Sequence, residues 1–96
     1  MNTMPFKIFA GNSNLPLAQE ICEYAGVPMG AMDIIKFSNE NIKVTIKESV
    51  RGVDAFVVQS SCPPVNEGIV ELLIIIDALK HASAGRITVV TPYFPY

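Results

Sequence analysis

A polar turn near the start of the chain has residue types that can bind phosphate. It is the tetrapeptide Gly11–Asn14, which follows the apolar run Phe6–Ala10 and precedes a segment with helical spacing from Leu15 to Tyr24. Backbone N–H groups at the N-terminus of a helix, with Ser and Asn beside them, form a favourable place for an anion. The glycine-rich motifs of nucleotide-binding loops are absent, so the turn fits a simple helix cap as well as a phosphate site.

The remaining reactive side chains are isolated from one another. Cys22 and Cys62 form no CxxC pair, and His81 is the only histidine. Metal sites and catalytic triads need several such residues at defined spacings, so the sequence predicts no metal site here. We expect both thiols to be reduced and in or near the core, as in a cytoplasmic protein, and His81 to be solvated at the end of a helix.

Composition limits the classes of partner. The chain has 96 residues, of which 50% are hydrophobic, and a net charge of −2. This length fits one domain. No basic run suggests nucleic-acid binding, and no charge-free run reaches the roughly 18–20 residues of a membrane-spanning helix. The first residues lack the pattern of a secretory signal, so we expect a cytoplasmic protein that binds neither nucleic acid nor membrane.

The most hydrophobic element is a long predicted helix within Ser60–Ser83. Asn66 is its expected N-cap, after two prolines that cannot lie inside a helix. One face is predicted to carry Ile69, Leu72, Leu73, Ile76 and Leu79, and the opposite side still carries Val70, Ile74 and Ala78. A helix that is apolar on most sides must be covered on two sides. The chain is therefore expected to associate with itself or with further protein.

The other elements follow from their periodicity. Leu17, Ile21 and either Tyr24 or Ala25 are expected on one face of the first helix, with Gly26 as its C-cap. Period-two alternation predicts a β-hairpin over Asp33–Lys47, with one strand face in water. The continuously apolar run Ala55–Val58 predicts a strand that is buried on both faces, and Ile87–Val90 predicts another buried strand. The order predicts an α/β fold, with a mostly parallel sheet, flanking helices and a β-hairpin.

Five stretches resemble one known family in unbroken register. They are Lys7–Ala18, Phe37–Gly52, Val57–Glu67, Glu71–Ile87 and Pro92–Tyr96, and the family is the ribose-phosphate pyrophosphokinases, also called phosphoribosyl pyrophosphate synthetases. The resemblance implies Mg²⁺-dependent transfer of the β,γ-diphosphoryl group of ATP to ribose 5-phosphate, by oligomers of subunits with two phosphoribosyltransferase-like domains. Because it covers the first third of the family's length, it implies a single, incomplete N-terminal domain over residues 1–96.

The resemblance also implies two sets of site residues. Phe37, Asn39 and Asn41 match a hairpin end that contributes to the ATP pocket of a neighbouring subunit, although the family has a glutamate at the position of Asn41. An amide there loses a charge-assisted contact worth roughly 1–2 kcal/mol.

Ser49, Arg51 and Ser83 match residues that hold regulatory or nucleotide phosphates in some members of the family. A guanidinium and hydroxyl groups beside a helix end suit a phosphate. The alternative is that Arg51 forms an ion pair with Glu48 or Asp54 in a solvated loop.

The family's metal-binding histidine, catalytic loop and ribose 5-phosphate loop match no part of this sequence. Phosphoryl transfer needs Mg²⁺ and a cationic clamp, so we expect this chain alone to have no catalytic residues, to bind no metal or ATP tightly, and not to catalyse the reaction. The leading hypothesis is the N-terminal portion of a synthetase, which supplies part of an ATP pocket and oligomer contacts. The alternatives are a non-catalytic regulatory or structural subunit that binds full-length synthetase subunits, and a phosphate-binding domain that uses the Gly11–Asn14 turn.

Overall fold

Helices and strands alternate along the chain. The computed structural model describes residues 5–12, 15–37, 41–59 and 65–91. In these residues the elements are β1 (Phe6–Ala10), α1 (Leu15–Ala25), β2 (Met32–Lys36), β3 (Ile42–Ile46), β4 (Asp54–Val58), α2 (Val65–His81) and β5 (Arg86–Val90).

A parallel sheet with the strand order β1-β4-β5 lies at the centre. Phe6 pairs with Asp54, and Asp54 with Arg86, so the three strands start in register. Beyond β1, Ile8 forms a parallel bridge with Met29. Strands β2 and β3 form a separate antiparallel hairpin. These pairings confirm the expected α/β fold with a parallel sheet, two helices and a β-hairpin.

The two helices cover opposite faces of the sheet. One buried cluster joins α2 to one face and is extended by the hairpin, and its members are Phe9, Val50, Val53, Ala55, Val57, Leu72, Ile75 and Leu79. A second cluster joins α1 to the other face, and its members are Ile8, Ala10, Ala18, Cys22 and Val58. Since the chain leaves β1 and β4 toward opposite faces, the carboxyl ends of these two strands border a switch point, where open α/β sheets commonly bind ligands.

The face of helix α2 that packs on the sheet matches the prediction in part: Leu72 and Leu79 are buried as expected, and Ile76 packs against the same cluster. The helix begins at Val65, so Asn66 is its second residue and the N-cap prediction was wrong. Leu73 was expected on the buried face but is 60% exposed, whereas Glu71 is only 2% exposed. Residues 71, 75 and 79 follow the i, i+4, i+8 row of a helix, and this row faces the sheet. None of the helices in the described ranges is long and apolar enough to cross a membrane.

Helix α1 is also rotated relative to the prediction. Its buried residues are Ala18 and Cys22, and Tyr24 is 98% exposed. Small side chains face the sheet because they let the helix lie close to β1. The C-cap prediction is confirmed, since Gly26 has φ +73° and the N–H of Val27 donates to the carbonyl of Cys22 at 3.1 Å. A left-handed residue after a helix suits glycine.

Strand β5 is more exposed than the sequence predicts. None of its five residues is fully buried, and Val89 is 36% exposed. On the face of the sheet that α1 occupies, a cleft of about 160 Å³ is lined by Phe6, Ile8, Ile21, Phe56, Val58 and Val90. The prediction of a buried strand was wrong here, because α1 lies on β1 and leaves the neighbouring part of this face open among the described residues.

Candidate functional site

A groove separates the hairpin from the N-terminal half of α2. It has a volume of about 450 Å³ and is lined by Lys36, Phe37, Ile42, Asn66, Glu67 and Val70. Small-molecule pockets commonly measure roughly 300–1,000 Å³. The groove therefore has the size of a small-molecule site, and its walls combine apolar side chains with one amide and two charged groups.

The end of the hairpin places two of the predicted ATP residues side by side. The N–H of Phe37 donates to the carbonyl of Asn41 at 2.8 Å, directly after β2 and before β3. The Phe37 side chain is 49% exposed, so one part of the ring contacts protein and another part is open to a ligand. Asn41 is exposed as well. Asn39 lies outside the described residues.

An ion pair closes one side of the groove. The ammonium group of Lys36 donates to the carboxylate of Glu67, and this hydrogen bond raises the pKa of Lys36. Both side chains are substantially exposed, so the pair contributes little to folding stability. It leaves a cation and an anion at the wall of the groove.

The predicted phosphate-binding residues come together where β4 and β5 begin, at the end of the sheet opposite to the switch point. Arg51 forms an antiparallel bridge with Ala84, and the N–H of Gly52 donates to the carbonyl of Ser83 at 3.2 Å. The segments of Arg51 and Ser83 thus run next to each other, with all three predicted side chains exposed. Ser83 has φ +67°, which fixes the chain reversal at the end of α2.

Lys7 holds the loop that carries Ser49. Its ammonium group donates to the Glu48 carboxylate and, at 2.9 Å, to the carbonyl of Ser49. The second oxygen of Glu48 accepts a hydrogen bond from the N–H of Ala31 at 2.5 Å. The pKa of Glu48 is lowered, first by the hydrogen bond from Lys7 and then by that from Ala31. Glu48 therefore pairs with Lys7 rather than with Arg51. Oδ2 of Asp54 lies 3.9 Å from Nη1 of Arg86.

The end of α2 that lies here does not itself favour the binding of a phosphate. It is the C-terminal end of α2, which finishes at His81, and the carbonyl end of a helix carries partial negative charge. Favourable charge must come from Arg51, from Lys7 and from Lys80 in the last turn. His81 is exposed, and its Nδ1–H donates to the carbonyl of Asp77 at 2.9 Å. Its place at the end of α2 confirms the expectation.

In the turn after β1, Asn12 is hydrogen-bonded within the protein, whereas Ser13 and Asn14 lie outside the described residues. The N–H of Asn12 donates to Oε1 of Glu71 at 2.5 Å, and Nε2 of Gln59 donates to the same oxygen at 3.2 Å. Sequence reasoning missed both Glu71 and Gln59 as residues of interest. For Glu71 a signal was present, because its spacing of four and eight residues to Ile75 and Leu79 places it on the buried row of α2.

No three His, Cys, Asp or Glu side chains come together in the described ranges as a metal site would require. Cys22 is buried and free, and burial raises the pKa of its thiol. Cys62 lies outside the described residues.

Known proteins match this chain along nearly its whole length. Residues 6–96 match the model of the N-terminal domain of ribose phosphate pyrophosphokinase. The chain is 57% identical over 90 residues to the ribose-phosphate pyrophosphokinase of Clostridium tetani, covering 94% of the chain and 28% of that protein. It is 54% identical over 90 residues to a chloroplastic ribose-phosphate pyrophosphokinase of Oryza sativa, covering 94% of the chain and 23% of that protein.

A solved structure shows the same fold. The phosphoribosylpyrophosphate synthetase of Mycobacterium smegmatis superposes with a TM-score of 0.93 at 43% identity, over 96% of this chain and 31% of that one. The chain thus spans less than a third of the length of these relatives. With its parallel sheet, hairpin and matched sequence, the chain belongs to the ribose-phosphate pyrophosphokinase family, of which it represents the N-terminal domain.

Proposed function

We propose that this chain supplies the hairpin side of an ATP pocket to a neighbouring subunit of a ribose-phosphate pyrophosphokinase. The supporting observation is Phe37, a half-exposed ring at the end of β2 that forms part of the wall of the 450 Å³ groove. An exposed ring face is suited to stack on an adenine base, and such stacking contributes about 1–3 kcal/mol per base. Asn41, and Asn39 outside the described residues, would offer amide donors and acceptors to the base and ribose.

The complete enzyme would use Mg²⁺ and ATP to transfer a diphosphoryl group to ribose 5-phosphate. In this proposal residues 1–96 form one partial N-terminal domain that neither catalyses the transfer nor binds ATP or metal tightly alone. The described residues contribute apolar surface, amides and the Lys36–Glu67 pair, whereas transfer needs a metal and a cationic clamp over the transferred charge.

Subunit contact would bury apolar residues next to the groove. Val70 is 49% exposed and Leu73 is 60% exposed, one helical turn apart on the outer side of α2. Together with Phe37 they form an apolar ridge (Phe37, Val70 and Leu73). Association with a second copy, or with a full-length synthetase subunit, would remove this ridge from water and present the hairpin to its neighbour.

A free buried thiol at Cys22 fits a cytoplasmic setting.

The Arg51–Ser83 edge is proposed as a second, regulatory phosphate site. Arg51 can donate two hydrogen bonds to a phosphate from its guanidinium group, and the hydroxyls of Ser49 and Ser83 can add one each. Lys7 already fixes the carbonyl of Ser49, so the loop has a defined position before a ligand arrives.

The ATP proposal is tested in a full-length synthetase whose first 96 residues are this chain. Phe37→Ala should raise the KM for ATP roughly 5- to 150-fold, which corresponds to the loss of about 1–3 kcal/mol of stacking. The matched control is Ile35→Ala, because Ile35 is 46% exposed on the same strand and does not line the groove. Equal effects of the two substitutions, or an unchanged KM in Phe37→Ala, would contradict the proposed role of Phe37.

Asn41 provides an independent test of the same pocket. Asn41→Glu should strengthen ATP binding roughly 5- to 30-fold in the full-length synthetase, because a carboxylate restores a charge-assisted contact of about 1–2 kcal/mol. The same substitution in the 96-residue chain should leave ATP binding unchanged. An equal gain in both proteins would show that the pocket lies elsewhere.

A further inference from the structure

Two buried polar side chains meet at the switch point of the sheet. Glu71 is 2% exposed and Gln59 is 4% exposed, and they are the buried polar residues of the described ranges. Glu71 projects from α2, whereas Gln59 directly follows β4. Burial of a carboxylate is costly unless hydrogen bonds stabilise it, so the partners of Glu71 indicate why it is there.

The carboxylate accepts its hydrogen bonds from amide groups. Oε1 accepts from the backbone N–H of Asn12 at 2.5 Å and from Nε2 of Gln59 at 3.2 Å. Oε2 lies 3.4 Å from Nδ2 of Asn12. Nε2 of Gln59 also donates to the carbonyl of Gly68 at 3.0 Å. The network therefore joins the ends of two neighbouring strands to one helix.

The backbone at Gly11 is shaped to admit this network. A Cβ atom on Gly11 would lie 2.2 Å from Oε1 of Gln59 and 2.4 Å from its Cδ, so the amide group of Gln59 would have to shift. The side chain of Gln59 therefore crosses the space that any other residue at position 11 would fill. The absence of a side chain at Gly11 and the buried Glu71 are parts of one arrangement.

In many α/β proteins the turn between the first strand and the first helix gives its N–H groups to a phosphate. Here the turn after β1 gives the N–H of Asn12 to Glu71. We propose that Glu71 is a positioning residue: its carboxylate takes the place of a bound anion at this turn, holds the carboxyl ends of β1 and β4 together, and keeps ligand phosphates out of the crevice between them. This inference is independent of the proposed ATP pocket, to which this chain contributes Phe37 and Asn41 at the end of the hairpin.

The test follows hydrogen exchange at the backbone amide of Asn12 in the 96-residue chain. Glu71→Ala should accelerate this exchange roughly 10- to 100-fold, because it removes a charged acceptor, while the amides of Ile75 and Leu79 stay protected. Glu71→Gln keeps an acceptor without the charge and should give a smaller acceleration. The matched control is Asp77→Asn, an exposed carboxylate of the same helix, which should leave Asn12 unchanged.

Chemical rescue separates an anion role from ordinary packing. Acetate replaces the deleted carboxylate, so millimolar acetate should restore slow exchange at Asn12 in Glu71→Ala, whereas sodium chloride at equal ionic strength should not. Inorganic phosphate should leave the Asn12 amide of the unchanged chain unaffected. If Asn12 exchanges equally fast in Glu71→Gln, Asp77→Asn and the unchanged chain, or if acetate rescues nothing in a folded Glu71→Ala, the inference is overturned. Neither readout depends on ATP or on synthetase activity.

Discussion

Replacing Gly11 by alanine should destabilise the fold through the side chain of Gln59. The new methyl group would lie 2.2, 2.4 and 2.6 Å from Oε1, Cδ and Nε2 of Gln59. Gln59 is 4% exposed, and its amide group, which is the part that would have to move, makes the hydrogen bonds of the side chain. It would therefore give up its hydrogen bonds to the carbonyl of Gly68 and to the carboxylate of Glu71.

The expected magnitude follows from these two bonds. A neutral hydrogen bond contributes about 1 kcal/mol and one to a charged group about 1.5–3 kcal/mol, which gives a loss of roughly 2.5–4 kcal/mol. Alanine restricts the unfolded chain and returns about 0.4–1 kcal/mol. We expect Gly11→Ala to lower the free energy of unfolding by about 1.5–3.5 kcal/mol, which moves the urea midpoint down by about 1–2.5 M for a domain of this size.

Two controls accompany this urea denaturation measurement. Gly68→Ala adds a Cβ whose nearest neighbour lies 3.8 Å away, so in the helix interior it should stabilise the chain by about 0.5–1 kcal/mol. In the double variant Gly11→Ala with Gln59→Ala, the clash is absent, and the loss should be about 0.4–1 kcal/mol smaller than that of Gln59→Ala, because only the effect of alanine on the unfolded chain remains. A loss below about 0.5 kcal/mol in Gly11→Ala alone would refute the reasoning.

Two further predictions concern the edges of the molecule. Because the folded pKa of Glu48 lies below its ordinary value of 4.5, the stability it contributes is fully present above that value and is lost as the pH falls through the folded pKa. The difference in urea midpoint between the unchanged chain and Glu48→Gln should therefore be constant near neutral pH and shrink below pH 4.5, and a difference that stays constant in acid would contradict the role of Lys7. Leu73→Ser should reduce self-association measured by light scattering, because Leu73 is 60% exposed on the apolar ridge. The control Tyr24→Ser should not reduce self-association, although Tyr24 is 98% exposed. Equal effects of the two substitutions, or a chain that is monomeric at all concentrations, would contradict the role of the ridge.

The sheet and hairpin were predictable because short-range patterns specify them. Alternation at Ile42, Val44 and Ile46 predicted the exposed hairpin strand, and continuous apolar runs predicted the strands that pair in parallel. Gly26 predicted the end of α1, since few other residues adopt its positive φ. Each of these signals lies within a few residues of the feature it predicts.

The orientation of the helices was not predictable to the same degree. Helix α2 is apolar on most sides, so its sequence only weakly specifies which face packs against the sheet. The predicted buried face includes Leu73, which the structure shows to be exposed. The charge of Glu71 suggested exposure, whereas tertiary hydrogen bonds from Asn12 and Gln59 stabilise it inside. These partners are 59 and 12 residues away in the chain, so the local periodicity of the sequence does not predict these contacts.

The site residues came from family resemblance rather than from pattern. The structure adds that Phe37 and Asn41 share a backbone hydrogen bond and that Arg51 lies beside the segment of Ser83. The contact of Lys7 with Glu48 joins residues 41 positions apart, and no local signal in the sequence predicts it. The roles of these residues stay proposals, with the substitutions above as their tests.

Complementation between subunits tests the central claim most directly. A full-length synthetase that begins with this chain and carries Phe37→Ala is mixed with the 96-residue chain, which has an intact Phe37, and their co-assembly is established by co-purification. If the hairpin serves a neighbouring subunit, the mixed assemblies should regain the low KM for ATP, and the chain with Phe37→Ala should restore nothing. Co-assembled mixtures that regain no ATP affinity, or that regain it equally with either form of the chain, would contradict the account.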